Sequence, residues 1–439
     1  MEKTDISPKT QRRSIIAAGF GQNMVFAFVN TFLLMYLITY AQISSEGLAV
    51  VTLIITAARV FDAVNDPIMG GIVDKTRTRW GKMRPYILFS AAPVAVLSSL
   101  LFFTPDATEA TVIILFAVIY ILWDIAYTLC DVPFWGLIGA AVTEKQERAS
   151  VISNVRAIQT IGMGIVILGA PWLARLMSPG TETTGQGWGF AALSISIVGM
   201  GMFTLAFFNT RERTQTKNEA VGLRQLLSAL VKNKPLFMVL LGSLIGFGRT
   251  ILQVGGAVFV VMAFNDEGYF TLVGAALLSS MLIASFAAPH LLKKVSDKKV
   301  MITSSLAGAV LNMAIFVVGY SNFIAMLVAI FFMGLTIGLF MVTKTTMIAD
   351  AVDYIERKTG VRNDGISFSR LTFIGKLMSS VGILVFGMVI AMTGYQEGVV
   401  ATEPMIDAAF FTITVIPAIS CLLSAIPFMF YKLDQDKEV

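Results

Sequence analysis

Charged residues are scarce in this chain of 439 residues. Only 14% are Asp, Glu, Lys or Arg, whereas 56% are hydrophobic. A typical soluble domain carries about 25% charged residues, so the composition excludes a water-soluble fold of this size. Histidine and cysteine are scarcer still, with one His and two Cys. A single histidine excludes a His-rich metal cluster and argues against a nucleophile–base pair, so we predict that the protein is not an enzyme.

The positions of the two cysteines and the histidine give no sign of a disulfide or a metal site. Cys130 and Cys421 fall within apolar segments, so they imply no disulfide framework. His290 stands at the end of another apolar segment, beside a basic loop and with no second histidine nearby. We interpret His290 as structural.

Apolar segments of about 20 residues recur along the whole chain, and each is long enough to cross a bilayer core as a helix. Gly and Pro scattered through them are typical of membrane helices rather than of barrel strands. We predict an all-α integral membrane protein with twelve transmembrane helices, near 14–40, 47–73, 84–103, 111–140, 149–174, 188–208, 235–263, 270–292, 300–319, 324–352, 365–393 and 408–430.

Lys and Arg outside these spans concentrate in alternate loops, at 3–13, 75–84, 145–148, 211–234, 293–299, 357–362 and 432–437. The other set of loops contains only Arg175. Because cytoplasmic loops carry the excess of positive charge, both termini are predicted to be cytoplasmic. This topology accounts for the isoelectric point of about 9.1, so no nucleic-acid partner is expected. Short loops and the absence of a targeting extension suggest a bacterial inner (plasma) membrane.

A hydrophilic stretch divides the chain into three predicted parts: an N-terminal six-helix half (1–208), a cytoplasmic linker (209–234) and a C-terminal six-helix half (235–439). Each half has a basic loop between its second and third spans. Parallel six-span halves around a central cavity are a known transporter plan. The first of these loops, within residues 70–84, resembles the cytoplasmic signature of the major facilitator superfamily, and this fold is therefore the predicted one.

Ten charged residues remain inside the predicted spans. They are Arg59, Arg156, Arg249, Lys344, Arg370 and Lys376, together with Asp62, Asp66, Asp124 and Asp131. A charge at membrane depth costs at least about 2.5 kcal/mol, so it persists mainly where it has a function. These groups either neutralise each other as structural ion pairs or line a water-filled binding cavity. We favour the cavity, because buried ion pairs stabilise a bundle poorly, and expect Arg59 to be structural.

Two spans carry oxygen-bearing side chains on one helical face. Asp62, Asn65 and Asp66 stand at i, i+3 and i+4, and Asp124, Thr128 and Asp131 follow the same kind of spacing. Carboxylate, amide and hydroxyl oxygens are hard ligands that suit a small cation. Aromatic rings nearby suit the apolar faces of a sugar ring; they belong to Trp123, Tyr127 and Trp135.

At these residues the chain resembles the glycoside–pentoside–hexuronide:cation symporter family. The resemblance rests on RVFDAVNDPIMG (59–70), TRTRWGKMRP (76–85), YTLCDVPFW (127–135), ADAVDY (349–354) and TGVRNDGISFS (359–369). It implies a coupling-cation site made of Asp62, Asn65, Asp66 and Thr128. It also implies a sugar site that contains Asp131, Trp135 and Arg156 and is lined by Trp123 and Tyr127. Thr372 and Lys376 are implied to lie close to both the sugar and the cation.

Departures from the family pattern affect the expected cargo. Asn23 stands where a family member has an acid that binds sugar hydroxyls, and Met341 and Leu371 replace a Trp and a Gln. Asp124, Lys344 and Arg370 add charges. Six embedded positive charges against four negative ones favour an anionic sugar, such as a uronate or a sulfonated sugar, with Arg249 and Lys344 among its ligands; a neutral glycoside stays open.

The predicted function is therefore symport of a sugar, glycoside or sugar acid with a cation, by alternating access. The coupling ion is predicted to be Na⁺, with H⁺ and Li⁺ as open alternatives, and no other cofactor is expected. A lipid or lysolipid transporter of the same superfamily is a further alternative. The expected partners are the small-molecule substrate and membrane lipid, and the protein is expected to function as a monomer.

Overall fold

The computed structural model describes residues 6–41, 43–142, 144–212, 234–266, 268–359, 364–396 and 399–432. The regular elements of this part of the chain are helices, and its β-type pairing is limited to an isolated bridge between Thr78 and Gly81. The predicted all-α class is confirmed.

The chain forms two compact units. The first contains α1 (Pro8–Thr39), α2 (Ser45–Lys75), α3 (Arg84–Leu100), α4 (Glu109–Ala141), α5 (Lys145–Leu176) and α6 (Gly185–Phe208). The second contains α7 (Lys234–Ile245), a 3₁₀ turn (Gly246–Thr250), α8 (Ile251–Phe264), α9 (Gly268–Leu292), α10 (Asp297–Val318), α11 (Phe323–Thr359), α12 (Asp364–Thr393) and α13 (Glu403–Met429). Most of the predicted linker, residues 213–233, lies outside the described residues, and the predicted domain boundaries stay a prediction.

Each predicted span coincides with helix, and α7, the 3₁₀ turn and α8 together form one of them. Ten helical segments of the described chain are long and apolar enough to cross a membrane. The two remaining predicted spans are α3, which is apolar but has 17 residues, and α2, which carries Arg59, Asp62 and Asp66. The number twelve therefore stays a prediction. The predicted basic segment at Arg357 and Lys358 is helical, because α11 continues to Thr359, but it lies beyond Ile348, where the part of α11 able to cross a membrane ends.

Large apolar side chains on the outer faces fit a lipid environment. Val317 is 79% exposed, Phe286 77% and Ile324 74%. Apolar exposure on this scale is unfavourable in water but matches contact with acyl chains.

Polar groups at the helix ends tie α2 to α4. The hydroxyl of Ser44 accepts the N–H of Gly47 at 3.1 Å and so caps the start of α2. A carboxylate oxygen of Glu109, in the first turn of α4, accepts both the Ser44 N–H at 2.8 Å and its hydroxyl at 2.6 Å. Because α2 also packs along α4, the two helices that carry the predicted cation ligands are neighbours.

Helix α1 packs against α5 and α6. Helices α1 and α6 approach closely at Gly21 and Gly199, where a Cβ on Gly21 would collide with the Gly199 carbonyl oxygen. Small residues allow membrane helices to approach at such points. This contact fixes the rotation of α1 next to Gln22, which belongs to the candidate site.

The second unit is packed around the ring of Phe340, in the middle of α11, which is fully buried. Leu236 and Leu240 of α7, Met378 of α12 and Phe428 of α13 belong to the same apolar cluster. Met301 of α10 belongs to it as well, so the cluster joins five helices of this unit.

A carboxylate of the first unit organises the loop between α2 and α3. Glu212 follows α6, and its oxygens accept the backbone N–H groups of Lys82 at 2.8 Å, Met83 at 2.7 Å and Arg84 at 3.1 Å. These N–H groups lie at the start of α3, where no intrahelical partner exists and where a negative charge is favourable. The Arg84 guanidinium in turn donates to the Phe207 carbonyl at 3.0 and 2.6 Å. The loop is thus held by the segment after α6.

We predict that Glu212→Ala destabilises the protein by about 1–3 kcal/mol, because three N–H groups lose a charged acceptor. Thermal unfolding of the purified protein in detergent measures the loss. Glu182→Ala, at an exposed carboxylate, is the control and should leave the midpoint unchanged. Equal effects of both variants would contradict the capping role.

Candidate functional site

The predicted cation ligands lie on α2 and α4. The backbone from Asp62 to Asp66 is helical, so the three polar residues occupy one turn, and Asn65 is half-buried. The side chains of Asp62 and Asp66 lie outside the part of the chain that the structure describes. On α4, Thr128 is 2% exposed and donates its hydroxyl to the Asp124 carbonyl at 3.1 Å. The cation site stays a prediction.

The best-defined polar cluster of the first unit surrounds Asp131 of α4. One oxygen of Asp131, Oδ1, accepts the Gln22 Nε2–H at 2.8 Å and the Trp135 Nε1–H at 3.0 Å. The guanidinium carbon of Arg156 lies 4.2 Å from the centre of the Trp135 ring. We call these four residues the Asp131 cluster. Its members come from α1, α4 and α5, helices that pack together in this unit.

The chemistry of the Asp131 cluster suits a polyhydroxylated ligand. Asp131 is half-buried and Arg156 is exposed, whereas Gln22 is fully buried. A carboxylate accepts hydroxyl hydrogens, a guanidinium donates to hydroxyl oxygens, and an indole offers an apolar face. The two N–H donors on Oδ1 fix the direction of the carboxylate, and hydrogen bonds to a carboxylate are stronger than those to a neutral acceptor.

A second group of residues joins α1, α2 and α4 in the same unit. Arg59 of α2 is 4% exposed and donates to Asn30 Oδ1 of α1. Its guanidinium carbon lies 5.8 Å from the ring centre of Phe26 and 5.9 Å from that of Trp123. The hydrogen bond and the two rings hold the cation inside the unit, in agreement with a structural part for Arg59.

Trp123 and Tyr127 belong to the same aromatic packing. Trp123 is fully buried, and its indole N–H is donated to Ser98 Oγ of α3 at 2.8 Å. Tyr127, which is 9% exposed, stacks on Phe26 at 5.0 Å and on Trp123 at 5.5 Å. In this arrangement both rings lie in the core of the unit, so their predicted contact with substrate stays a prediction.

The remaining predicted residues are spread over both units. Asn23 is half-buried on α1, next to Gln22, and Asp124 is 3% exposed on α4. In the second unit Lys376 is half-buried on α12. The side chains of Thr372 and Arg370 lie outside the described residues.

Arg249 and Lys344 are brought together in the second unit. Both are 6% exposed, and both lie against Phe340. Arg249 belongs to the 3₁₀ turn that interrupts the long segment between α7 and α8, whereas Lys344 is on α11. The sequence predicts both residues as substrate ligands, but it does not predict that both side chains contact the ring of Phe340.

Two partners in the first unit were missed by the sequence analysis: Gln22 and Asn30. Both are polar residues within the first apolar span, and polar groups at membrane depth usually have a partner or a function. The position of Gln22 within an apolar span, directly before the predicted Asn23, could therefore have indicated a functional residue. The sequence does not reveal that its partner is Asp131, because the two residues are 109 positions apart.

Comparison with solved structures shows what the fold resembles. The crystal structure of a D-xylose-proton symporter superposes with a TM-score of 0.69 at 13% identity, covering 98% of this chain and 99% of that chain. At this identity the likeness shows the fold alone.

The particular family follows from sequence. A family model described as MFS/sugar transport protein matches residues 14–435, so the chain belongs to this family of transporters. The isoprimeverose transporter of Lactiplantibacillus pentosus is 28% identical, covering 98% of this chain and 89% of its own length. The glucuronide carrier protein homolog of Escherichia coli (strain K12) is 27% identical, covering 97% and 93%. The resemblance to the glycoside–pentoside–hexuronide:cation symporters is confirmed.

We predict that the two donors to Asp131 are coupled. Gln22→Leu removes one N–H, and Trp135→Phe removes the other while keeping a ring beneath Arg156. Each change should lower the free energy of unfolding by about 1 kcal/mol, and the double variant by at least about 0.5 kcal/mol more than the sum, because Asp131 then loses both donors.

A double-mutant cycle of thermal or denaturant unfolding in detergent measures this coupling. Trp172→Phe, at a tryptophan that is 67% exposed on α5, is the matched control. Combined with Gln22→Leu, the control should give strictly additive losses. Additive losses for the Gln22 and Trp135 pair as well would show that the cluster does not act as one unit.

Proposed function

We propose that this protein imports a sugar or glycoside together with a cation, Na⁺, by alternating access. The observation that carries the proposal is the Asp131 cluster: a carboxylate oriented by an amide and an indole, beside a guanidinium. Groups of this kind bind hydroxyl-rich solutes, and they lie in a transporter of a sugar transport family.

The names of the relatives support a glycoside as the cargo. One is an isoprimeverose transporter and another a glucuronide carrier protein homolog, so both uncharged and acidic glycosides are candidate cargoes. Asp131, Trp135 and Arg156 are the proposed sugar ligands, and Asn23, which follows Gln22 in the sequence of α1, is a further candidate.

Coupling to the cation is proposed to act through α2 and α4. Without a cation, Asp62 and Asp66 repel each other across one helical turn. Na⁺ bound to these carboxylates, with Asn65 and Thr128 as further oxygen ligands, neutralises the repulsion and orders the two helices. Asp131 is on the same helix as Thr128, so an ordered α4 presents the sugar site. Linkage then requires sugar to tighten Na⁺ binding by the same factor.

A proton is the alternative coupling ion. One carboxylate of two close ones has a raised affinity for H⁺ and is able to carry a proton in place of Na⁺. The amide and hydroxyl of Asn65 and Thr128 favour Na⁺ or Li⁺, because a proton needs no additional oxygen ligands. The protein is proposed to work as a monomer in a bacterial inner membrane, with both termini cytoplasmic.

We predict that Asp62→Asn abolishes sodium-driven accumulation of sugar but retains sugar exchange. The carboxamide keeps the shape of the side chain but lacks the charge that binds the cation. Uptake into membrane vesicles under a sodium gradient measures accumulation, and counterflow between equal sodium concentrations measures exchange. Asp106→Asn, at an exposed carboxylate between α3 and α4, is the control. Full accumulation by Asp62→Asn would contradict the cation assignment.

A thermal-shift screen of the purified protein identifies cargo and coupling ion together. Neutral glycosides and uronates are each tested with sodium and with choline as the cation. We expect to find a sugar that raises the melting temperature only when sodium is present. The shift grows with the affinity of the ligand, and bound sodium is proposed to raise the affinity for sugar. If a sugar stabilises the protein equally in choline, and if its uptake follows a proton gradient, the coupling ion is H⁺ and not Na⁺.

A further inference from the structure

The second unit contains two buried cationic side chains against one ring. The guanidinium carbon of Arg249 lies 3.9 Å from the centre of the Phe340 ring, and Lys344 Nζ lies 5.8 Å from it. Each cation is 6% exposed, and Phe340 is fully buried. Both positive charges are therefore held in the apolar interior of this unit.

The hydrogen-bond partners of the two cations are uncharged. Arg249 donates to Ser305 Oγ at 2.8 Å, to Ser424 Oγ at 3.1 Å and to the carbonyl of Gly246 at 3.4 Å. Lys344 Nζ has the thioether sulfur of Met341 at 3.5 Å, which is a weak acceptor. Among the described residues, no carboxylate forms an ion pair with either cation.

Such a pair is unfavourable when nothing else is bound. A buried charge normally has a counter-ion, and two like charges near each other add repulsion to the loss of hydration. The ring faces and the serine hydroxyls hold the cations in position but neutralise neither of them. The arrangement is unlike that of Arg59 in the first unit, where a single cation lies between two rings and an amide.

We propose that Arg249 and Lys344 bind one monovalent anionic group within the second unit. The guanidinium offers a planar fork of donors for an oxyanion, and the ammonium adds a point charge. The anionic group is either a carboxylate of the cargo or a free inorganic anion such as chloride. If the anionic group is a carboxylate of the cargo, the inference rests on the proposed function and the cargo is a sugar acid. If it is a free inorganic anion, the inference does not depend on the proposed function.

The test compares the melting temperature of the full-length protein under different anions, at constant sodium concentration and ionic strength. The reference is sodium polyglutamate, whose polymeric anion is too large to enter the interior of the unit. The probes are chloride, acetate and D-glucuronate, with D-glucose as the uncharged counterpart of D-glucuronate. We expect at least one anion to raise the midpoint of the unmodified protein by about 2 °C or more at saturation.

Substitutions at Lys344 show whether the shift arises at this site. Lys344→Met removes the charge and should abolish the shift, whereas Lys344→Arg should keep it. In the polyglutamate reference, Lys344→Met should also melt higher than the unmodified protein, because the remaining cation has no like charge beside it. A lysine with a purely structural part would give the opposite sign. Lys294→Met, at an exposed lysine after α9, is the control and should keep the shift.

The pattern across probes identifies the source of the anion. A shift with both chloride and acetate assigns a free anion, whereas a shift with glucuronate but not with acetate or glucose assigns the cargo's carboxylate. The proposal is overturned if no anion shifts the unmodified protein, or if Lys344→Met shifts as much. Sodium-driven uptake of neutral glycosides and of glucuronides is measured in parallel. The absence of uptake of both classes would contradict the proposed function and would leave the anion site standing.

Discussion

The low polarity of the membrane interior is the constraint on which the rest of this structure depends. The hydrocarbon core of a bilayer offers no hydrogen-bond partners, so a polar group at that depth has to be paired within the protein or line a cavity. Asp131 is paired with an amide and an indole, and Arg59 with an amide and two rings. Each pairing joins two or three helices. Polar residues that were predicted from the sequence as functional therefore also contribute to the packing between helices.

The two units meet this constraint differently. In the first unit the carboxylate of Asp131 is oriented by neutral donors, which leaves a polar surface suited to hydroxyl groups. In the second unit Arg249 and Lys344 share a ring and contact neutral acceptors, which leaves an excess of positive charge. Under the two proposals, the cluster in the first unit binds hydroxyl groups and the pair in the second unit binds an anionic group.

The fold by itself does not determine the cargo or the coupling ion. The D-xylose-proton symporter has the same fold at 13% identity, and unrelated chemistries commonly occupy one fold. Function therefore depends on particular side chains. In the proposed function the helical turn from Asp62 to Asp66 binds the coupling ion, whereas Asp131 binds the cargo.

The sequence by itself determined the helices, because length and hydropathy are local properties: a span needs about 20 apolar residues wherever it lies. It also determined that Asp62, Asn65 and Asp66 share a helical face, since this follows from the repeat of the helix. Only the tertiary structure decided that Gln22 meets Asp131, that Trp123 donates to Ser98 and that Arg249 and Lys344 share Phe340. The physical reason is that helical periodicity fixes which residues share a face, whereas the neighbour of that face is set by packing between helices far apart in the chain.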